Sequence, residues 1–259
     1  MAIIRNTDSF FSDHFIFCGN NIILEGKNLP SKEILKKCLA LNVASDWISD
    51  EEYDFSAIEL ENNCPVPASC TSIPLRTFFW EQKQNPEIVK KASRAKGLIN
   101  FRKSHRYCSY CGGALKDDLR FVARTCVQCG KIIFPRLEPA VIVLVKNKGK
   151  VLLARHKNRN DDIYSCIAGF VEIGETIEQT VSREVKEETG ITVKNIKYAG
   201  SQAWPYPDQL MLAFYCEYDK GEIKIQEEEL LDASWFSLDS LPNIPPPGSV
   251  AYNLIHAQF

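Results

Sequence analysis

Residues 169–191 read GFVEIGETIEQTVSREVKEETGI. Local signals divide the stretch into loop, helix and loop. Thr176 and Gln179 stand three apart in the capping-box pattern, and Gly190 sits where a helix C-terminus wants a residue free to take positive φ. Ile177, Val181 and Val185 recur every four residues and give the helix one apolar face. Glu184, Glu187 and Glu188 fall at i, i+3 and i+4, so their side chains share another face. Like charges so placed disfavour a helix by roughly a few tenths of a kcal/mol per pair unless a cation lies among them. Three glutamates alone describe a solvated acidic helix. With Glu175 they also offer enough carboxylate oxygen for Mg²⁺ or Mn²⁺, which take phosphate oxygens as further ligands.

Written as spacing, the stretch is G-x5-E-x7-R-E-U-x-E-E-x-G-U, with U apolar. Gly169, Glu175, Arg183, Glu184, Val185, Glu187, Glu188, Gly190 and Ile191 fill the fixed positions. It resembles the signature box of Nudix hydrolases at every one of them. The resemblance implies metal-assisted hydrolysis of a diphosphate linked to a nucleoside.

The rest of the chain sets the frame. Its 259 residues, 45% hydrophobic and 25% charged, suffice for one large or two modest domains. A net charge of −2 exerts no global pull on nucleic acid or membranes, so such binding needs a local patch. No apolar run reaches the roughly 18–20 residues of a membrane helix. Asp8, Asp13 and His14 break the N-terminus and make it a poor signal peptide, so a cytoplasmic location without membrane partners is expected.

Two C-x-x-C pairs, Cys108/Cys111 and Cys126/Cys129, stand as C-x2-C-x14-C-x2-C. Each pair can present two thiolates from a tight turn, closed by Gly112-Gly113 or by Gly130. Together they predict one structural, tetrahedral Zn²⁺ per chain with no position open for water. A disulfide within either pair would tie almost nothing together. His105 is an outside candidate ligand. Cys18, Cys38, Cys64, Cys70, Cys166 and Cys216 are scattered and are given no role.

In chain order, strands are expected at Phe15–Cys18 and Asn21–Glu25, then a helix from Ser31 to Leu41. Residues 46–61 carry acidic and aromatic residues by turns, and 62–72 read as a linker or exposed loop. A helix with Pro86 in its first turn runs to Ser104, with Lys90, Lys91, Arg94, Lys96, Arg102 and Lys103 on a basic, solvated face. Beyond Pro135, strands are expected at Ala140–Val145, Val151–Ala154, Ile196–Ser201, Leu210–Tyr218 and Ala233–Ser237. A basic loop covers 155–159, a hairpin turn falls between Tyr218 and Glu222, and Ser249 caps a closing helix. The expected architecture is an α+β N-terminal domain with a connecting helix (1–103), a Cys₄ zinc ribbon (104–136) and an α/β/α sandwich of the Nudix type (137–259). The strand order of the sandwich comes from the resemblance.

Residues 201–211, SQAWPYPDQLM, hold Trp204 and Tyr206 between prolines, which offers aromatic faces at low entropic cost. The bland reading is a staple on the protein's own core. A Cys₄ ribbon, a Nudix box and S-Q-x-W-P-aromatic-P in this order resemble the bacterial NADH pyrophosphatases, which also remove NAD caps from RNA. The chain departs from the usual S-Q-P-W-P-F-P-x-S at Ala203, Tyr206 and Gln209. Tyr206 keeps the ring, Gln209 replaces a serine that would contact substrate, and Ala203 loosens the loop.

The resemblance implies that NADH or NAD⁺ is hydrolysed to nicotinamide mononucleotide and AMP, and that NAD-capped RNA is a further substrate. By motif position, the Ala168 carbonyl, Glu184, Glu188 and Glu229 would bind Mg²⁺ or Mn²⁺. Arg183 would pair with Glu175, and either Glu187 or Glu188 would accept the proton of the attacking water. Gln202, Ala203, Trp204, Pro205, Tyr206, Pro207, Asp208, Gln209, Phe134 and Ala251 would line the nucleotide site. Arg76 would contribute in a homodimer. A transcript would need a basic path, which the Lys90–Arg106 face could supply. The alternatives are another nucleoside diphosphate derivative as substrate, or a non-catalytic nucleic-acid-binding protein that uses the ribbon alone.

Overall fold

The structure, a computed structural model, describes residues 11–40, 44–61, 65–157, 162–204 and 208–259. The chain forms two compact units, Met1–Arg136 and Leu137–Phe259. Among the described residues no helix is long and apolar enough to cross a membrane.

The first unit is built on a five-stranded sheet of β1 (Asp13–Cys18), β2 (Asn21–Glu25), β3 (Ala44–Asp50), β4 (Phe55–Leu60) and β5 (Cys70–Pro74), ordered β3-β4-β1-β2-β5. Side chains alternate across it, as strand geometry requires. Ile16, Ile23 and Ile58 meet Ile34, Leu35 and Cys38 of helix α1 (Lys32–Ala40). Sequence reasoning left β3 and β4 unassigned, together with helix α2 (Leu75–Glu81), and read residues 62–72 as a linker or loop, where β5 in fact begins at Cys70. Burial explains the miss at β4: all six of its residues are buried, so the polar–apolar alternation that marks a half-exposed strand is absent.

Helix α3 (Pro86–Ser104) has the predicted bounds, with Asn85 as its N-cap. Its basic face, however, is only partly solvated: Lys90 and Lys103 are exposed, and the others turn toward the sheet. Lys91 pairs with Asp13 at 2.5 Å, Arg94 with Asp50 at 2.7 Å and Lys96 with Glu59 at 2.8 Å. Arg102 reaches Asp46 and Asp117, Lys103 reaches Glu59, and Lys90 lies 3.7 Å from Glu87. Lys96 and Arg102 are buried. All but Lys90, whose partner Glu87 is on α3 itself and exposed, point at carboxylates of the strands, and burying Lys96 or Arg102 unpaired would cost several kcal/mol.

Strands β6 (Leu115–Asp117), β7 (Arg124–Cys126) and β8 (Ile132–Ile133) form a small sheet that completes this unit. Arg124 ties it to the end of α3, donating to the carbonyls of Arg102, His105 and Leu115.

The second unit holds β9 (Glu138–Asn147), β10 (Lys150–His156), β11 (Ile167–Phe170), β12 (Thr192–Trp204), β13 (Gln209–Lys220) and β14 (Leu230–Ser237). Its helices are α4 (Ile177–Thr189) and α5 (Val250–Ile255). The sheet runs β12-β13-β9-β10-β14, with β11 also paired to β9 and β13 parallel to β9. Val141, Val143, Val145, Leu152 and Ala154 pack with Val181 and Val185 of α4. Ile142, Leu144, Val151 and Leu153 pack with Val250 and Leu254 of α5 on the other face. Period-two alternation with apolar residues on both sides is what makes β9 read as a continuous apolar run. The result is the α/β/α sandwich. The expected hairpin at Tyr218–Glu222 is absent because β13 already has β12 and β9 as neighbours. The chain leaves at Gly221 and returns as β14 at the other edge, against β10.

Candidate active site

Helix α4 begins with both halves of the capping box: the Thr176 side chain accepts from the Gln179 N–H, and the Gln179 side chain accepts from the Thr176 N–H. It ends at Gly190 with φ 76°. Val181 and Val185 are fully buried, which fixes the rotation of the helix and so the direction of its carboxylates. Burying each valine stabilises the packing by roughly 1.5–3 kcal/mol.

Arg183 is the cation the acidic face requires. It donates to Glu175 at 2.6 and 2.9 Å, to Glu184 at 2.8 Å, to Glu187 at 3.0 Å and to the Phe170 carbonyl at 2.9 Å. These five bonds use all five donors of a guanidinium. Hydrogen bonds from Arg183 hold the Glu175 carboxyl down at about 2, and Thr180 adds another at 2.8 Å.

Glu184 lies against the backbone of β11. A Cβ placed on Gly169 would fall 1.9 Å from the Glu184 carboxyl carbon, so that position admits only glycine while Glu184 stays where it is. Burial raises the pKa of Glu184, and the Arg183 hydrogen bond opposes the rise. Glu188 is 1% exposed, and neither carboxylate oxygen has a hydrogen-bond partner of normal geometry. Burial first, then the charges of Glu184 and Glu229, push it up to about 8; the adjacent Ala168 backbone opposes this only weakly. Glu229 is exposed, and its carbonyl accepts from the Lys157 N–H at 2.7 Å.

An orphaned buried carboxylate beside two others fits a hard divalent cation, which would neutralise the repulsion and satisfy the oxygens. The carboxylates sense one another without closing on a point. Among the described residues, only the cysteine quartet brings three or more ligand atoms of His, Cys, Asp or Glu within 4.8 Å of one another.

In that quartet Cys108 Sγ lies 3.8 Å from Cys129 and Cys111 Sγ lies 3.5 Å from Cys126. The two turns are built alike. The Gly112 N–H donates to the Cys108 carbonyl and the Gly130 N–H to that of Cys126, both glycines at φ 74°. Backbone N–H groups of Cys111 and Tyr110 lower the Cys108 thiol, and those of Cys129 and Gln128 lower Cys126 to about 6. The Gly113 N–H pulls Cys111 the same way, but the Cys129 and Cys126 thiols and burial push it up to about 12, so the turns favour thiolates at Cys108 and Cys126, and four cysteines so gathered suit Zn²⁺. His105 lies outside the quartet, its ring against Ser104 and the Phe101 carbonyl.

The structure thus gathers Glu175, Arg183, Glu184, Glu187, Glu188, Ala168 and Glu229. Trp204 ends β12 opposite Gln209, which opens β13, with Ala203 beside it in β12; the Asp208 carbonyl accepts from the Glu138 N–H. Gln202 donates to the Gly248 carbonyl at 3.0 Å, just ahead of α5, while its side-chain oxygen is buried without a partner. Ala251 turns its methyl into the α5 core. Pro205, Tyr206 and Pro207 lie outside the described residues. Arg76, on α2, and Phe134, against Phe121, are exposed and belong to the first unit. Sequence reasoning missed two neighbours of Arg183 and Glu175. Phe170 is 46% exposed beside Gly169, and Thr180 is fully buried against Glu175. The one available signal was an aromatic residue at the open end of a strand.

Residues 136–257 match the family model described as NUDIX domain. The NAD-capped RNA hydrolase NudC of Salmonella heidelberg (strain SL476) is 45% identical over 172 residues, 66% of this chain and 67% of that protein. The protein of the same name from Salmonella typhi matches at the same identity and coverage. Among solved structures, a NUDIX hydrolase from Nitrosomonas europaea is similar, with a TM-score of 0.48 and 24% identity over 59% of this chain and 86% of that one.

Proposed function

This chain belongs to the Nudix hydrolase family, in the branch of the NAD-capped RNA hydrolases, and from that premise we propose that it cleaves the diphosphate of NADH or NAD⁺. The products are AMP and nicotinamide mononucleotide, reduced when NADH is the substrate. RNA carrying an NAD cap is the second substrate. The observation that carries the reaction class is the Glu188 carboxylate, buried, unpaired and pressed by like charge on the signature helix. The substrate class is supported by the relatives, which are named for it, and by Trp204 at the end of β12.

Glu184, Glu188, Glu229 and the Ala168 carbonyl would hold Mg²⁺ or Mn²⁺. When bound, the ion supplies Lewis-acid polarisation of the diphosphate and a lowered pKa for water. Arg183 has no donor left for substrate and acts by positioning Glu184 and Glu187. Of the two candidate bases, Glu187 is the better placed. Its side chain is half exposed, one oxygen rests on Arg183, and the other is free to take the proton of water. That water's oxygen bonds to phosphorus as the bridging P–O bond breaks, and the departing phosphate keeps the electron pair. Trp204 and Tyr206 would stack on the bases. Gln202 Oε1 would accept from a base amide, and Ala251 would contribute its backbone, since its methyl is committed to the core.

The cysteine quartet would carry one Zn²⁺ with a structural role. A reducing cytoplasm, in which thiols persist, suits a quartet of this kind. A homodimer, in which Arg76 would contribute, completes the reading. Incubation with NADH and Mn²⁺ followed by chromatography tests it. Reduced mononucleotide plus AMP is expected; no turnover of any dinucleotide would overturn it.

A further inference from the structure

Among the described residues, β12 is the outermost strand of its sheet and pairs only with β13, and its end carries Gln202 and Trp204. A strand held along one side opens readily at its end. The ladder is also broken close by. Tyr198 pairs with Phe214 and Gly200 with Ala213, which leaves Ala199 as an extra residue on β12. The direction of the last side chains therefore depends on contacts outside the ladder.

Two such contacts come from the side of α5. Gly200 pairs with Ala213, Gln202 with Met211 and Trp204 with Gln209, so the three β12 residues share one face. It is the face on which Ala213 and Met211 pack with α5. Gln202 donates to the Gly248 carbonyl from there, at 3.0 Å. Phe259 occupies the space over Gly200, where an added Cβ would collide with ring atoms Cδ1 and Cε1.

The chain beyond α5 is bent in a way that delivers this ring. The Gln258 N–H donates to the Asn253 carbonyl at 2.8 Å and the Ala257 N–H to the Leu254 carbonyl at 3.3 Å, the two bonds of a Schellman turn. Ala257 takes the left-handed position of that turn at φ 51°, where glycine is usual and a Cβ is strained. The Leu254 carbonyl also accepts from the Tyr215 hydroxyl at 3.2 Å, which ties the turn to β13. Strain of this kind persists where surrounding contacts hold it. The ring is 45% exposed, so it lies as a cover on the strand rather than inside the core.

We propose that Phe259 is a positioning residue: seated on Gly200, it holds the end of β12 so that Gln202 and Trp204 meet the base of the dinucleotide together. This rests on the reading of the chain as a dinucleotide hydrolase. Phe259 acts through β12, so its loss weakens substrate binding and spares the chemical step.

The test uses the full zinc-loaded chain. Phe259→Ala should raise KM for NADH about fivefold or more and leave kcat within a factor of about two, as lost uniform binding does. Phe259→Leu keeps apolar bulk and should bring KM back to within about twofold of the wild type. Gly200→Ala pushes the ring off its seat and should match Phe259→Ala. Joining the two should add less than about twofold, because both remove one contact. Hydrogen exchange on the free proteins gives the second readout. Peptides covering 199–204 should exchange at least about fivefold faster in Phe259→Ala, with α4 unchanged. A Phe259→Ala enzyme with wild-type KM would overturn the proposal, whatever the exchange shows. So would additive effects of the two substitutions, or faster exchange in α4 together with a fallen kcat, which would mark a general loosening of the fold. A wild type that leaves NADH intact would sink the proposed reaction instead; exchange at 199–204 needs no substrate and then decides by itself whether Phe259 holds the strand.

Discussion

At Glu188 the chain sets a carboxylate where water cannot reach it and adds the charges of Glu184 and Glu229. A residue so placed is costly to the fold and useful only to a bound cation. Glu188→Gln should therefore separate two effects. At saturating Mn²⁺ its kcat on NADH should fall more than about tenfold, a barrier rise above ~1.4 kcal/mol. The metal-free variant should melt higher than the metal-free wild type at pH 8, because a buried charge has been removed without loss of volume. Kinetics and thermal melts on the same preparations check both. Gly169 is the second such position. Its missing Cβ is the space in which the Glu184 carboxylate lies, so Gly169→Ala should displace that side chain and cut turnover at least about tenfold with circular dichroism unchanged. Turnover near the wild-type level would show that Glu184 need not rest on β11. The spacing of the glutamates was legible in the sequence because i, i+3 and i+4 are local relations. The raised pKa of Glu188 was not, because burial depends on which strands lie beneath the helix.

Among the elements, α3 and the ribbon carry the contrasts. Lys96 is 4% exposed at its side chain and Glu59 is 1% exposed, and they meet at 2.8 Å across 37 residues of chain. Lys96→Met would take from Glu59 its buried cation, while Lys103, 38% exposed, still reaches it from the surface. Breaking a buried pair from one side costs about 3–5 kcal/mol, which urea unfolding of the first unit should register. A loss below about 1 kcal/mol would mean the pair contributes no more than a surface one. The cysteine quartet makes a different prediction. Purified protein should contain about one zinc per chain, and Cys126→Ser should lose the metal and destabilise the unit, since a closed site contributes folding free energy and no chemistry. A metal-free chain as stable as the loaded one would refute that role. C-x-x-C spacing made the ribbon readable, because each turn is complete within a few residues. The basic face of α3 was misread for the converse reason: its partners, such as Asp13 for Lys91, lie as far as 78 residues away.

On the scale of the whole molecule, the raised Glu188 couples folding to pH. An unfolded glutamate ionises near 4.5, while the folded group holds its proton to about 8. Between those values the folded state carries the extra proton, so stability of the metal-free protein should fall as pH rises through this window and level off above it. The loss should be of the order of a few kcal/mol. Mg²⁺ or Mn²⁺ should release that proton and restore stability at pH 8. Melting temperatures from pH 5 to 9, with and without the ion, check this; stability that rises with pH in the metal-free protein would contradict the placement of Glu188.

The sequence by itself determined what local interactions dictate. These are helix α4 with its caps and apolar stripe, the spacing of its carboxylates, the two cysteine turns, the bounds of α3, and the apolar runs of the sandwich strands. Tertiary structure alone decided which carboxylate is buried and unpaired, that Glu229 shares its field, that Glu184 occupies the space above Gly169, and that Lys96 and Arg102 of α3 are buried against carboxylates. Each of these follows from the order in which strands lie side by side. Desolvation and charge pairing act across that order, between residues that no repeat or spacing in the chain brings together.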